Sequence, residues 1–155
     1  MHIDELEIDS RIKKFLCNTW KIEKLFPPQS ESLPLSLIGK NVLLSIPTAS
    51  GKSLVAYLTL VHRIGSKSNS RKGIYIVPLK ALATEKFKEL KELASCMGLK
   101  VGIAIGDRNE SADIGDVDIL VCTSEKLDSM IRLKPKIIEE IGVIVADEFH
   151  LLHDP

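Results

Sequence analysis

No apolar run in this 155-residue chain approaches the length needed to cross a membrane. Net charge is lacking too: 21 basic residues balance 21 acidic ones, so any nucleic-acid binding has to come from a local patch. Cysteine is scarce. Cys17, Cys96 and Cys122 are odd in number, far apart and set among apolar residues, with no Cys-x-x-Cys and no clustered histidine beside them. A disulfide framework and a zinc site are both excluded by that spacing, and the three read as reduced core thiols. The polar, acidic start carries no signal-peptide pattern. Repeats, low-complexity tracts and interdomain linkers are absent. The expectation is one cytoplasmic domain, with no membrane contact, long enough to bury roughly 70% of its unfolded surface.

What is present centres on Pro47-Thr48-Ala49-Ser50-Gly51-Lys52-Ser53. Asn41 to Ser45 before it is a short apolar run that reads as a buried strand. Leu54, Val55, Leu58 and Val61 after it recur at helical spacing. Strand, tight loop and helix form the setting of a phosphate-binding loop. The first backbone N–H groups of a helix lack intrahelical partners, and the helix dipole favours an anion there. Gly51 lets the backbone approach phosphate oxygens where a Cβ would intrude. Lys52 can bring a charge to the β- and γ-phosphates, and Ser53 can ligate magnesium. One glycine is missing from the general pattern: Ile46 stands five residues before Gly51.

Further apolar runs read as strands at Gly73–Val77, Val101–Ile105, Val117–Cys122 and Val143–Ala146. They are continuous rather than alternating, and helical patterns separate most of them. A largely parallel sheet with helices on both faces follows, an α/β fold. Asp9 or Ser10 caps a first helix; Pro27-Pro28-Gln29 opens a second, ended by Gly39. Pro78 leads into a helix whose apolar side is Leu79, Leu82, Ala83, Phe87, Leu90, Leu93 and Ala94. Its Lys86, Lys88, Glu89, Lys91 and Glu92 read as a solvated face. Taken alone, Gln29 also reads as a solvated residue. Ligands in such sheets sit beyond the carboxyl ends of the strands. At the end of the last strand stand Asp147 and Glu148, two carboxylates that are costly there without a task. The first can hold magnesium; the second can orient and deprotonate an attacking water. The plainer alternative is a pair of acids capping a helix from Phe149 to Leu152.

Asp147-Glu148-Phe149-His150 resembles the DExH box of superfamily-two helicases, and residues 47–53 resemble their phosphate loop, which normally lacks the early glycine. Pro27-Pro28-Gln29 resembles the Q motif. Pro78 to Ala83 resembles motif Ia, Thr123-Ser124-Glu125-Lys126 motif Ib, and Gly106-Asp107 a strand-contacting motif between them. The spelling is closest to the Ski-two-like branch, in particular its archaeal DNA-repair helicases, from about residue 3 to the end. The resemblance implies a first RecA-like P-loop domain over residues 1–155, with 1–26 an extension leading into the Q motif. It implies ATP and Mg²⁺ as cofactors. Gln29 would hold adenine; Pro47, Thr48, Ala49, Ser50, Gly51, Lys52 and Ser53 would hold phosphates, with Ser53 and Asp147 on the metal. Glu148 would serve water and His150 would couple hydrolysis to a partner domain. Lys80, Ala81, Asp107, Thr123 and Ser124 would line the track of a single-stranded or forked nucleic acid, DNA rather than RNA by this likeness, although backbone contacts read neither base nor sugar decisively.

The resemblance also implies a second RecA-like domain with arginine fingers, and a strand carrying motif III between Val42–Ser45 and Val143–Ala146. Without that strand the sheet is expected to be incomplete at its C-terminal end. Either a gap or a direct pairing of those two segments would result. Two other readings compete with an ATP-dependent helicase: a binding module without turnover, and a small nucleotide kinase. The ending Asp-Glu-x-His speaks against the kinase, which needs an arginine-bearing lid there.

Overall fold

The structure, a computed structural model, describes residues 1–47, 49–66, 71–106 and 113–150. A short 3₁₀ turn at Ile3–Glu5 precedes α1 (Ser10–Asn18), α2 (Pro27–Leu37) and α3 (Lys52–Gly65). Then follow β1 (Lys72–Val77), α4 (Lys80–Ser95), β2 (Val101–Ala104), β3 (Ile119–Thr123), α5 (Ser124–Leu133), α6 (Ile137–Glu140) and β4 (Ile141–Ala146). The four strands are all parallel, in the order β2-β3-β1-β4.

Continuous apolar strands are explained by burial on both faces. Tyr75, Val77, Ile119, Val121 and Val143 look toward α1, α2, α3 and α4, in a core with Leu16, Leu33, Leu58 and Leu90. Ile74, Leu120, Cys122 and Ala104 look the other way, onto Ile114, Leu127 and Ile137. Burial pushes the Cys122 thiol up to about 12, as fits an inert core thiol. All three cysteines are free. Helix signals held locally: the Asp9 side chain accepts from the Arg11 N–H at the start of α1, and Gly39 and Gly98 adopt positive φ just past α2 and α4. Residues 1–26 pack into the same core, with Ile3, Ile12 and Leu16 fully buried. No helix among the described residues is long and apolar enough to cross a membrane.

The strand expected at Asn41–Ser45 does not form. Residues 41–47 carry no strand, Leu43 is 87% exposed, and only Leu44 packs partly against the core. An apolar run becomes a strand only when a neighbour completes its ladder. Here β4 pairs with β1 on one side, no strand among the described residues lies on its other side, and Ile144 is 57% exposed. The two segments therefore do not pair directly.

Candidate active site

Strand register places the candidate residues on one edge of the sheet. Val77 of β1 is level with Thr123 of β3, Ile76 with Ala146 of β4, and Ala104 of β2 with Cys122. Asp147 extends the ladder by one bond, its N–H donating to the Ile76 carbonyl at 2.9 Å. The start of α3 comes to the same edge. Gly51 forms its N-cap with φ +73°, and no side chain caps the helix, so its first N–H groups remain available to an anion. An alanine at Gly51 would be strained by that φ, and its Cβ would run into the Gln29 amide.

A cavity of about 450 Å³ opens between the loop and α4, lined by Gly51, Lys52, Ser53, Lys86, Asp147 and Glu148 among others. Lys52 Nζ pairs with Glu148 Oε1 at 2.8 Å, with both side chains largely covered. Asp147 accepts from the Tyr75 hydroxyl through Oδ2 at 2.7 Å, and from the Glu148 N–H through Oδ1 at 2.9 Å. His150 Nδ1 stands 3.5 Å from Glu148 Oε2 on the exposed side. Two non-glycine residues here, Ala49 and Glu148, have positive φ, at 66° and 49°. Such strain persists only where the surroundings impose it, and it clusters at sites.

The Lys52 hydrogen bond is the main reason the Glu148 carboxyl sits below its ordinary value of 4.5. A carboxyl depressed in the folded state adds stability above its unfolded pKa and loses it as pH falls through the folded value. The stability gap between the wild type and Glu148→Gln should therefore be constant from neutral pH to about 5 and shrink below about 4. Urea denaturation of both proteins across that range measures it; a gap that persists undiminished into stronger acid contradicts the pairing.

Gln29 is 3% exposed, against its reading as a solvated residue. Its Nε2 donates to the Gly51 carbonyl at 2.9 Å and its Oε1 accepts from the Phe26 N–H at 2.9 Å. The amide thus ties the start of α2 to the phosphate loop. Lys86 and Glu89 also leave the solvated face assigned to them. Lys86 Nζ donates to Ser53 Oγ at 2.9 Å, and Glu89 accepts from the Tyr57 hydroxyl. Tyr57 and Tyr75 stack obliquely, with ring centroids 5.7 Å apart, and burial pushes both phenols far up. Neither tyrosine was marked by the sequence; each looks like any aromatic on an apolar face, and only its polar tip hints at a partner.

Lys80 starts α4, and its ammonium lies over Gly106, just past β2. Thr123 is buried and caps α5, accepting from the Lys126 N–H at 3.4 Å; Ser124 follows it. Lys80, Ala81, Gly106, Thr123 and Ser124 thus lie along the carboxyl ends of β1, β2 and β3. Thr48 and Asp107, named above for phosphate and nucleic acid, lie outside the described residues, as do Leu151 and Leu152 of the helix read as an alternative from Phe149.

The sequence profile of DEAD/DEAH box helicases matches residues 26–155. The chain belongs to that family. It is 44% identical over 154 residues to an "ATP-dependent DNA helicase Hel308" of Thermococcus kodakarensis, covering 98% of this chain and 13% of that one. The namesake of Pyrococcus horikoshii is also 44% identical over 154 residues, with 98% and 21% covered. The chain therefore spans about a fifth or less of these curated relatives. Among solved structures, the DUF1998 helicase MrfA superposes with a TM-score of 0.77 at 28% identity, over 93% of this chain and 24% of that one. A hypothetical ATP-dependent RNA helicase from Sulfolobus tokodaii gives a TM-score of 0.77 at 20% identity, over 94% and 43%, which speaks to the fold alone. These matches fit a first RecA-like domain of a Ski-two-like helicase. The four-stranded parallel sheet is the fold expected, and the kinase reading falls with the family assignment.

Within this helicase-family chain, the residues that could hold magnesium are Ser53, through its Oγ, and Asp147, through its carboxylate. Both are hard oxygens, and an ammonium already sits on the first. No group of three or more His, Cys, Asp or Glu arranged for a metal exists among the described residues.

Proposed function

We propose that this chain is the ATP-binding part of a cytoplasmic, ATP-dependent DNA helicase that couples hydrolysis to translocation along a single or forked strand. The observation that carries the reading is the Lys52–Glu148 pair at 2.8 Å, in one cavity with Ser53 and Asp147. The names of the matched relatives support the same activity and favour DNA.

In this reading the triphosphate arrives at the uncapped start of α3 and draws Lys52 away from Glu148. Ser53 and Asp147 would hold magnesium, which when bound would supply charge neutralisation at the phosphate oxygens. Glu148, released from its lysine and ionised at neutral pH, accepts a proton from the attacking water. Asp147 stays oriented by Tyr75 below it. His150, on the exposed side of Glu148, is placed to sense the partner domain. Gln29 links the adenine side to the phosphate loop through the Gly51 carbonyl. Lys80, Thr123 and Ser124, with the N-termini of α4 and α5, present cationic and N–H groups to a strand's phosphates.

In the longer protein, Glu148→Gln is expected to keep Mg·ATP affinity within a few-fold while DNA-stimulated turnover falls by about 10²–10⁴-fold, the usual worth of a general base. Steady-state ATPase together with a binding titration measures both. Near-normal turnover would remove Glu148 from the role of base.

A further inference from the structure

A cation already occupies the polar end of this site, and it comes from α4. Lys86 Nζ donates to Ser53 Oγ at 2.9 Å and lies 3.6 Å from Glu85, with its side chain only 12% exposed. Tyr75 donates to Asp147 Oδ2 at 2.7 Å, and Asp147 lines the same cavity as Ser53 and Lys86. Ser53 and Asp147, the two oxygen donors assigned to the metal, thus line one cavity, and the Lys86 ammonium already sits on the first of them.

We propose that Lys86 is the placeholder cation of the nucleotide-free site, holding Ser53 Oγ until a divalent metal arrives with the nucleotide and withdrawing when it does. The inference rests on the reading of Ser53 and Asp147 as the metal side of an ATP site. A divalent ion would sit about 2.1 Å from the same oxygen. Two like charges within about 4 Å of each other in a partly covered cavity repel strongly. Lys86 has somewhere to go. Its four-carbon stem is flexible, and Glu85 and Glu89 stand beside it on α4. The device keeps the acid-rich pocket neutralised and its serine oriented, while a metal without nucleotide is kept out.

The test is thermal melting of the chain in millimolar MgCl₂ without nucleotide, against NaCl of equal ionic strength. Lys86→Met is expected to gain a magnesium-specific rise of about 3 °C or more, whereas wild type and Lys86→Arg should stay within about 1 °C of the salt control. Lys88→Met, which removes an equal charge from the exposed side of α4, should behave as wild type. An equal magnesium response in wild type and Lys86→Met overturns the proposal, as does a response in Lys88→Met as large as in Lys86→Met. If Lys86→Met does not melt cooperatively, Lys86→Gln is read in its place. Mg·ATP affinity of the variant should stay within a few-fold of wild type; a loss beyond tenfold would make Lys86 a phosphate ligand instead and would also overturn it. Failure of the ATP reading itself shows separately, as wild type that binds no Mg·ATP at all.

Discussion

ATP hydrolysis by the 155-residue chain alone should be slower by about 10³–10⁵-fold than by a form extended to carry a second RecA-like domain, even with saturating single-stranded DNA. That factor is what an arginine finger supplies in related phosphoryl-transfer enzymes. Among the described residues the cations that line the cavity are Lys52 and Lys86, and both are already engaged. Lys52 is engaged by Glu148 at 2.8 Å and Lys86 by Ser53 at 2.9 Å. Steady-state ATPase of the two lengths measures the gap. Comparable DNA-stimulated rates would mean that the described residues complete the catalytic set by themselves.

Lys52→Ala should weaken Mg·ATP binding by about 100-fold or more, close to 2.7 kcal/mol. Two losses add. The triphosphate loses its charge-assisted partner, and Glu148 is left as an unpaired carboxylate facing the incoming phosphates. Lys52→Ala, Glu148→Gln together should recover part of the loss, since the second change removes the repulsion. A calorimetric titration of the single and double variants separates the two contributions. Unchanged affinity in the single variant would place the phosphates elsewhere.

Much of this arrangement was legible in the residues. The apolar side of α4 buries Ala83, Leu90, Leu93 and Ala94 and half-buries Leu82 and Phe87, because a 3.6-residue repeat turns one face to the core, while Leu79, read with them, precedes the helix and stays exposed. The apolar runs of β1 and β3 are buried on both sides, and so imply a covered parallel sheet. Lys52, Ser53, Asp147 and Glu148 converge because a parallel sheet puts the ends of its strands, and the helices that follow, on one edge.

The misreadings have physical causes. Val42–Ser45 has strand composition, but a strand is a property of a pair, and no partner is at hand. Gln29 looked solvated because its two partners, Phe26 and Gly51, are invisible to local pattern; the second is 22 residues away. Lys86 and Glu89 were assigned to solvent by charge alone. They recur with Leu82 at i, i+4 and i+7, a stripe between the buried and exposed sides, and that stripe borders the phosphate loop. Charge on a helix reports the polarity of what it faces, and a phosphate site is as polar as water.

The central claim is that the phosphates of ATP rest on the start of α3. Amide hydrogen exchange of the wild-type chain, with and without Mg·ATP, tests it at single residues. The account predicts strong slowing at Gly51, Lys52 and Ser53, whose N–H groups have no helical acceptor in the free chain, whereas the Leu54 N–H already donates to the Gly51 carbonyl at 3.2 Å. No change is predicted at the second cavity, lined by Asp113, Lys134, Lys136 and Glu140 at the opposite end of the sheet's helices. Slowing centred on that second cavity, with the amides of residues 51–53 exchanging as before, would contradict it.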